Sequence, residues 1–346
     1  IIKTLEPKHV EIVWQPEVVK EFHTNGMKLE ALDTDGNVED EWTVFSIGGG
    51  SLAEEGKRGH SSASVYPHDN IEDIIEWCRE NHKNFVDYVK EFDDEDIMDY
   101  LRQIRITMRQ SLNDGLKATD VIPGKLKLAR RARTFFRQYK VNKQLSSMIY
   151  AYALAVSEQN ASGFEIVTAP TCGSAGVLPA VLFTMQDFYG FDDEAVEEGL
   201  AVAGLIGIAV KKNASVSGAE VGCQGEVGVA CAMAAAAAAF MKGAALRKIE
   251  YAAEIGLEHH LGMTCDPAYG YVQIPCIERN AMGAQRALDA ANYALLSDGV
   301  HHVKFDQIVK IMDETGRDMM DKYKETAQGG IALLYEESGE FDDNEA

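Results

Sequence analysis

No run of residues in this chain is apolar enough, for long enough, to read as a membrane span. The longest apolar run covers residues 227–240, is rich in Ala and contains Gly228. A crossing helix needs about 20 apolar residues, so this run reads as a buried helix. Residues 1–7 carry Lys3 and Glu6 and lack the apolar centre of a signal peptide. Positive charge is scarce: 33 Lys and Arg stand against 55 Asp and Glu, for a net charge of −22. A surface of that sign repels phosphate backbones and anionic lipid heads, which argues against nucleic-acid and membrane partners. There is no compact Cys-x-x-Cys pair and no internal repeat. Six cysteines (78, 172, 223, 231, 265 and 276) are spread over 346 residues, unlike a small secreted disulfide scaffold. Reduced thiols in the cytoplasm, free to bind metal, are the expectation. The sequence also starts at Ile1 and not at Met, which reads as a fragment or a processed product.

What is present is enough apolar residue, 46% of the chain, for one large core or two modest ones. Residues 9–14 form a short strand candidate. Met27, Leu29 and Ala31 alternate with Lys28 and Glu30, the period of a half-buried strand. Residues 33–36 (Asp-Thr-Asp-Gly) signal a turn, and residues 42–47 resume as a strand, so a hairpin is expected. Residues 51–70, small and polar, read as a linker or mobile loop. From about residue 71 the helical period takes over, with Ile71, Ile74, Ile75 and Cys78 on one face. Further helices are expected over 96–116, 145–157, 195–210, 227–240 and 249–261. Residues 336–346 form an acidic tail, expected to be disordered. A lone hairpin is marginal in water, so the N-terminal strands read as part of a larger sheet.

Cys223, Cys265 and Cys276 sit among Gly and Pro, in Gly222-Cys223-Gln224-Gly225, Thr264-Cys265-Asp266-Pro267 and Pro275-Cys276. Cys265 follows Cys223 by 42 positions and Cys276 follows Cys265 by 11. Such flanks place a thiol on a turn at a helix end, where backbone N–H groups and the helix dipole favour negative charge. Thiolates select zinc, Cu(I) or iron–sulfur centres. Spacing alone does not choose between a metal site and structural cysteines. Cys231, within the Ala run, and Cys78 read as small buried hydrophobes. Cys172, in a Gly-rich turn opening a helix, fits a fourth ligand, a substrate-side thiol or a bystander.

Four stretches carry a resemblance. They are residues 168–176 (Thr-Ala-Pro-Thr-Cys-Gly-Ser-Ala-Gly), 212–231, which includes Ser-Gly-Ala-Glu-Val-Gly-Cys-Gln-Gly-Glu, 254–267, and 272–280 (Val-Gln-Ile-Pro-Cys-Ile-Glu-Arg-Asn). These long, uncommon strings resemble the iron–sulfur-dependent L-serine dehydratases (L-serine ammonia-lyases), and the resemblance extends over almost the whole chain. It implies a mainly α protein: the remnant of an α/β domain seen as a β-hairpin (1–52), a linker (53–74), an all-helical catalytic domain (75–335) and the acidic tail (336–346). It implies a [4Fe–4S] cluster on Cys223, Cys265 and Cys276 with one iron lacking a protein cysteine, a homodimer, and no pyridoxal phosphate. Two departures are visible. The family's Ser-Ser-Ser-His-Thr stretch, which supplies a catalytic His, is not in this sequence. The sequence also ends in Asn344-Glu345-Ala346 and not in the Cys that plugs the open iron in some relatives.

Dehydration of L-serine breaks a Cβ–O bond and removes a weakly acidic Cα proton. An iron without a fourth protein ligand acts as a Lewis acid on the leaving hydroxide, and a positioned base takes the proton. The aminoacrylate then tautomerises and hydrolyses to pyruvate and ammonia. Candidates for proton handling are Lys212, His259 and His260. Candidates for the substrate carboxylate are Thr168, Thr171 and Ser174 beside a helix N-terminus, and Asn213, Ser215 and Ser217 before the first cysteine. Lys212 reads equally as a helix-end cation, one His as packing, and Glu220 and Glu226 as loop-ordering residues. The competing functions are an iron–sulfur cysteine desulfhydrase, a non-catalytic cluster-binding fragment and a zinc-binding helical module.

Overall fold

The structure, a computed structural model, describes residues 25–47, 52–55 and 65–337, with isolated positions 10, 11, 13, 15, 18 and 22. The chain divides into two units, residues 1–47 with 52–59, and residues 48–51 with 60–346.

The first unit holds an antiparallel sheet of β1 (Gly26–Leu32), β2 (Val38–Ser46) and β3 (Leu52–Ala53), in that order. The expected hairpin is there. Asp33 closes it, its Oδ1 accepting from the backbone of Asp35 and Asn37 at 2.8 Å each, and Gly36 takes the left-handed turn position at φ +86°. β2 starts four residues earlier than the sequence suggests because Glu41 and Asp40 pair with Glu30 and Ala31. On the face of β1 that carries Met27, Leu29 and Ala31, Met27 is 46% exposed, Ala31 is exposed and Leu29 is half-buried. The alternation therefore marks register, not burial. β3 falls inside the stretch read as linker: two residues are too few to leave a periodic signal, and Phe45 and Ser46 supply the pairing. Of the strand expected over 9–14, positions 10, 11 and 13 are described and lie outside the sheet, and the others fall outside the described residues.

The second unit is helical. Its elements are α1 (Ile71–Glu80), α2 (Phe85–Phe92), α3 (Ile97–Lys117), α4 (Ala132–Asn142), α5 (Leu145–Ala161), α6 (Val177–Tyr189), α7 (Asp193–Asn213), α8 (Gly218–Val221), α9 (Val229–Met241), α10 (Leu246–Glu258), α11 (Cys276–Leu296), α12 (Phe305–Asp318) and α13 (Ile331–Glu337). A mainly α fold with a β-hairpin is thus what the chain adopts. The helices begin where their caps stand. Asn70 accepts from Asp73 N at 2.9 Å, Asn84 and Asp87 form a capping box, and Asp192 accepts from Ala195 N at 2.9 Å. α1 begins inside the 53–74 stretch assigned to the linker. Most of the tail expected from 336 onward falls outside the described residues.

α9 is the axis of this unit. Ala234 to Ala239 are all fully buried, and α9 packs against α6, α7, α10 and α11. Alanine is the strongest helix former and adds little width, so neighbours approach α9 from several sides. The approach is backbone to backbone at Gly256 of α10, where a Cβ would lie 3.0 Å from Ala232 Cα. The window Gln224–Met241 passes the length and hydropathy test for a membrane span, but 89% of it is buried within the protein. It is a core helix. Cys231 in α9 and Cys78 in α1 are fully buried, as the apolar reading of both expects.

Candidate metal and active site

Cys223 owes its position to the glycine before it. Gly222 has φ +74°, and a Cβ on it would sit 2.6 Å from Met263 O. No other residue turns the chain from α8 into Cys223 this close to the loop that carries Cys265. Cys223 then caps a π-helical turn, Gln224–Gly228, that leads into α9. Such turns widen a helix by one residue and concentrate at functional sites. Gln224, fully buried, fixes this one: its Oε1 accepts from Gly262 N (2.9 Å) and Thr315 Oγ1 (3.1 Å), and its Nε2 donates to Met312 O (3.2 Å).

Cys265 is held by a short parallel bridge to residues 323–325. Its N–H donates to Tyr323 O (2.8 Å) and its carbonyl accepts from Glu325 N (2.6 Å). The next residue, Asp266, is buried and accepts from Thr264 Oγ1 (2.9 Å) and Ile331 N (2.7 Å). Cys276 is the first residue of α11. One turn later Asn280 staples that helix to the 172–176 loop. Its Nδ2 donates to Gly173 O (2.7 Å) and Cys276 O (2.8 Å), and its Oδ1 accepts from Gly176 N (2.9 Å).

These elements bring buried acids together. The ligating atoms of Cys223, Glu226 and Cys265 lie within 4.8 Å of one another. Glu226 Oε2 is 3.7 Å from Cys223 Sγ and 3.5 Å from Cys265 Sγ, and Cys265 Sγ is also 3.5 Å from Glu325 Oε1. Glu226 Oε1 accepts from Thr171 Oγ1 (2.7 Å), which is 3.0 Å from Ser174 Oγ. Cys276 lies outside the 4.8 Å group but close enough for Cys223 and Glu226 to act on its charge. Gly218 leaves the space. A Cβ there would sit 2.7 Å from Glu226 Oε2 and 2.9 Å from Cys265 Sγ, and would strike Glu325.

The charge balance is uneven. A hydrogen bond from Cys265 and the nearby Arg279 guanidinium pull Cys223 toward the thiolate. Cys265 donates to that thiolate and is buried, so its own pKa rises well above the usual thiol value. Burial, then the charge on Cys223, raises Cys276 and Glu226 as well. Three thiols and two carboxyls thus share one enclosure with one guanidinium among the described residues. A soft, multivalent cationic centre is what such a donor set fits, and the absent Cβ of Gly218 leaves room beside it.

The other candidates fall into two groups. Thr171 and Ser174 join the thiols through Glu226. Lys212 and Asn213 hold the segment before α1: Lys212 Nζ reaches Asp69 Oδ1 (3.0 Å), Tyr66 O (3.1 Å) and His68 O (3.3 Å), and Asn213 Nδ2 donates to Asp69 O (2.6 Å). Ser215 Oγ accepts from the N–H of Ser217, the residue that precedes α8. His259 and His260 each bond a carbonyl one turn back, Ile255 O (2.9 Å) and Gly256 O (2.7 Å). His260 is buried under the π turn, where a Cβ on Gly228 would lie 2.9 Å from its own Cβ, and burial lowers its pKa. Thr168 is exposed, 3.6 Å from the Cys172 sulfur, and lines an apolar cavity of about 250 Å³ between α3 and α7. Cys172 is exposed and outside the 4.8 Å group.

Sequence reasoning passed over Arg279, Asn280, Gln224 and Glu325. Arg279 and Asn280 lie one turn after Cys276 and Gln224 directly follows Cys223, and that spacing is a usable signal. Glu325 is 60 residues from Cys265, the thiol it contacts, and carries no such signal.

A model of the serine dehydratase alpha chain family matches residues 15–332. The L-serine dehydratase of Streptomyces coelicolor is 43% identical over 328 residues, spanning 90% of this chain and 72% of the relative. That of Haemophilus influenzae is 41% identical over 329 residues, and L-serine dehydratase 1 of Escherichia coli is 39% identical over 329, with the same coverage. With a match of that extent running through all three cysteine loops, the chain belongs to the serine dehydratase alpha chain family.

Proposed function

We propose that this protein is an L-serine ammonia-lyase that converts L-serine to pyruvate and ammonia, and that Cys223, Cys265 and Cys276 hold a [4Fe–4S] cluster. The observation that supports the reading is the buried group of Cys223, Glu226 and Cys265 beside the space left by Gly218, with buried Cys276 near enough to feel the charge of Cys223 and Glu226. When bound, a cluster with three cysteine ligands supplies a Lewis-acidic iron for a departing hydroxide.

The chain's own residues do the rest. Arg279, anchored on Thr264 O at 2.6 Å, balances negative charge on Cys223. Glu226, whose pKa burial and the charge on Cys223 raise well above the usual carboxylate value, links Thr171 and Ser174 to the thiols, so these hydroxyls are the proposed partners of the substrate carboxylate. Thr168, Ser215 and Ser217 lie on the same two loops and stay candidates for that role. His260 is a neutral imidazole that fixes the π turn. Lys212 and Asn213 position residues 66–69, and His259, exposed at the end of α10, stays a candidate for proton handling. The reading invokes no pyridoxal phosphate and includes a cytoplasmic homodimer, which light scattering of the purified protein checks.

A mononuclear zinc site is the second reading, favoured by the compactness of Cys223, Glu226 and Cys265, which excludes Cys276. The Cys276→Ser variant separates the two. On the cluster reading it loses pyruvate release from L-serine by at least about a hundredfold, together with its iron. Undiminished pyruvate release in this variant refutes the cluster reading, and sulfide release from L-cysteine that exceeds pyruvate release from L-serine moves the assignment to a desulfhydrase.

A further inference from the structure

We propose that the outward face of α11 pairs with the same face of a second copy of this chain, antiparallel, about a two-fold axis that passes between Arg286 and Asp289. The proposal rests on the homodimer of the reading above and gives it a contact surface.

α11 reverses the usual arrangement of a surface helix. Its inward face is small, with Ala284, Ala287, Ala291 and Ala294 buried where the helix packs on α5, α6, α9 and α10. Its outward face carries the large residues: Met282 is 57%, Tyr293 62% and Leu296 90% exposed. A helix whose outer side meets only water keeps its large apolar residues inward and polar ones outward. The outward residues also form a seam. Met282, Arg286, Asp289, Tyr293 and Leu296 follow one another at intervals of four, three, four and three, the spacing by which one helix lies along another. Single exposed apolar residues need no partner, whereas a row of them along one helix marks an interaction face.

The charges at the middle of the seam select the occupant. Arg286 and Asp289 are both exposed. Arg286 makes no hydrogen bond or ion pair among the described residues, and Asp289 accepts from Gln285 Nε2 at 3.1 Å through Oδ1. In two antiparallel copies related by an axis midway between these positions, Arg286 of each faces Asp289 of the other. The same operation sets Met282 of each against Tyr293 of the other, so apolar contacts flank the charged pairs on both sides. Tyr293 is steadied by Tyr251, whose ring meets it edge-on at 6.1 Å. A face whose two halves complement each other about one axis fits its own copy. A parallel pairing would set Arg286 on Arg286, and that like-charge contact opposes it. The seam itself carries one charge of each sign in a chain of −22, so antiparallel pairing through it adds no like-charge contact.

Sedimentation velocity of the purified full chain, over about 1–100 μM, reads the balance of monomer and dimer. The wild type is expected to dimerise. Arg286→Asp sets acid against acid at both facing pairs, and Asp289→Arg sets base against base. Each is expected to weaken the dimer at least about a hundredfold. An equimolar mixture of the two variants is expected to dimerise again, because every facing pair is then opposite in sign. Both positions are exposed, so each variant is expected to melt within about 2 °C of the wild type. Met282→Glu, also exposed, weakens the dimer by a route independent of the charged pairs. A wild-type dimer that persists in these variants, or charge variants whose mixture stays monomeric, overturns the proposed face and leaves the homodimer standing. A wild type that is monomeric throughout overturns the homodimer as well, while pyruvate release from L-serine still decides the lyase reading.

Discussion

At the scale of single residues, the site depends on a few buried polar side chains whose partners come from distant loops. Asn280 makes three hydrogen bonds that join α11 to the 172–176 loop. Its replacement by Ala leaves Gly176 N, Gly173 O and Cys276 O to find other partners. Denaturant unfolding of Asn280→Ala is expected to show a loss of about 3 kcal/mol. A second residue-scale effect lies on α10. Burial, with Glu258 and Glu250 beside it, raises Glu254 from the ordinary 4.5 to about 8. Between those values the folded protein holds a proton that the unfolded chain has lost. The contribution of Glu254 to stability is therefore full below about pH 4.5 and declines as pH rises toward 8. Glu254→Gln is expected to remove that decline, seen as a flatter dependence of the melting temperature on pH between 5 and 8. An unchanged slope contradicts it. The cysteines were legible at this scale because Gly and Pro flank each one. Glu226 stood in view as a neighbour of Cys223, but its bond to Thr171 links positions 55 apart and no local pattern announces it.

At the scale of elements, legibility follows locality. α1, α3, α5, α7 and α10 were visible from apolar spacing, and their ends shift by a few residues because caps, not periodicity, set them. The expected helix over 227–240 begins instead with a π turn at Gln224–Gly228, whose cause is long-range: Gln224 bonds to Gly262, Thr315 and Met312. β3 and the Cys265–Lys324 bridge escaped for the same reason, since each is a pairing of one or two residues chosen by its partner. The packing of α9 against α10 makes its own prediction. Gly256→Val places a branched side chain against the Ala232 backbone, and melting or urea unfolding is expected to report a loss of about 2 kcal/mol or more. An unchanged stability there shows that the two helices do not approach as closely as the packing of Ala232 on Gly256 requires.

At the scale of the whole molecule, a buried Ala-rich helix is the axis of the helical unit, and the turn that leads into it carries Cys223 and Glu226 to Cys265. The acidic surface, −22 overall, leaves the basic groups at the site as local exceptions: Arg279 beside Cys223 stands among three thiols and two carboxyls. That imbalance is the reason to expect a metal centre, and the choice of centre decides the function. The most direct measurement is the iron and acid-labile sulfide content of anaerobically purified protein, beside that of Cys265→Ser. The account predicts about four iron and four sulfide per wild-type chain, lost for the most part in the variant. Zinc without sulfide in the wild type, or a full iron and sulfide complement in Cys265→Ser, contradicts it.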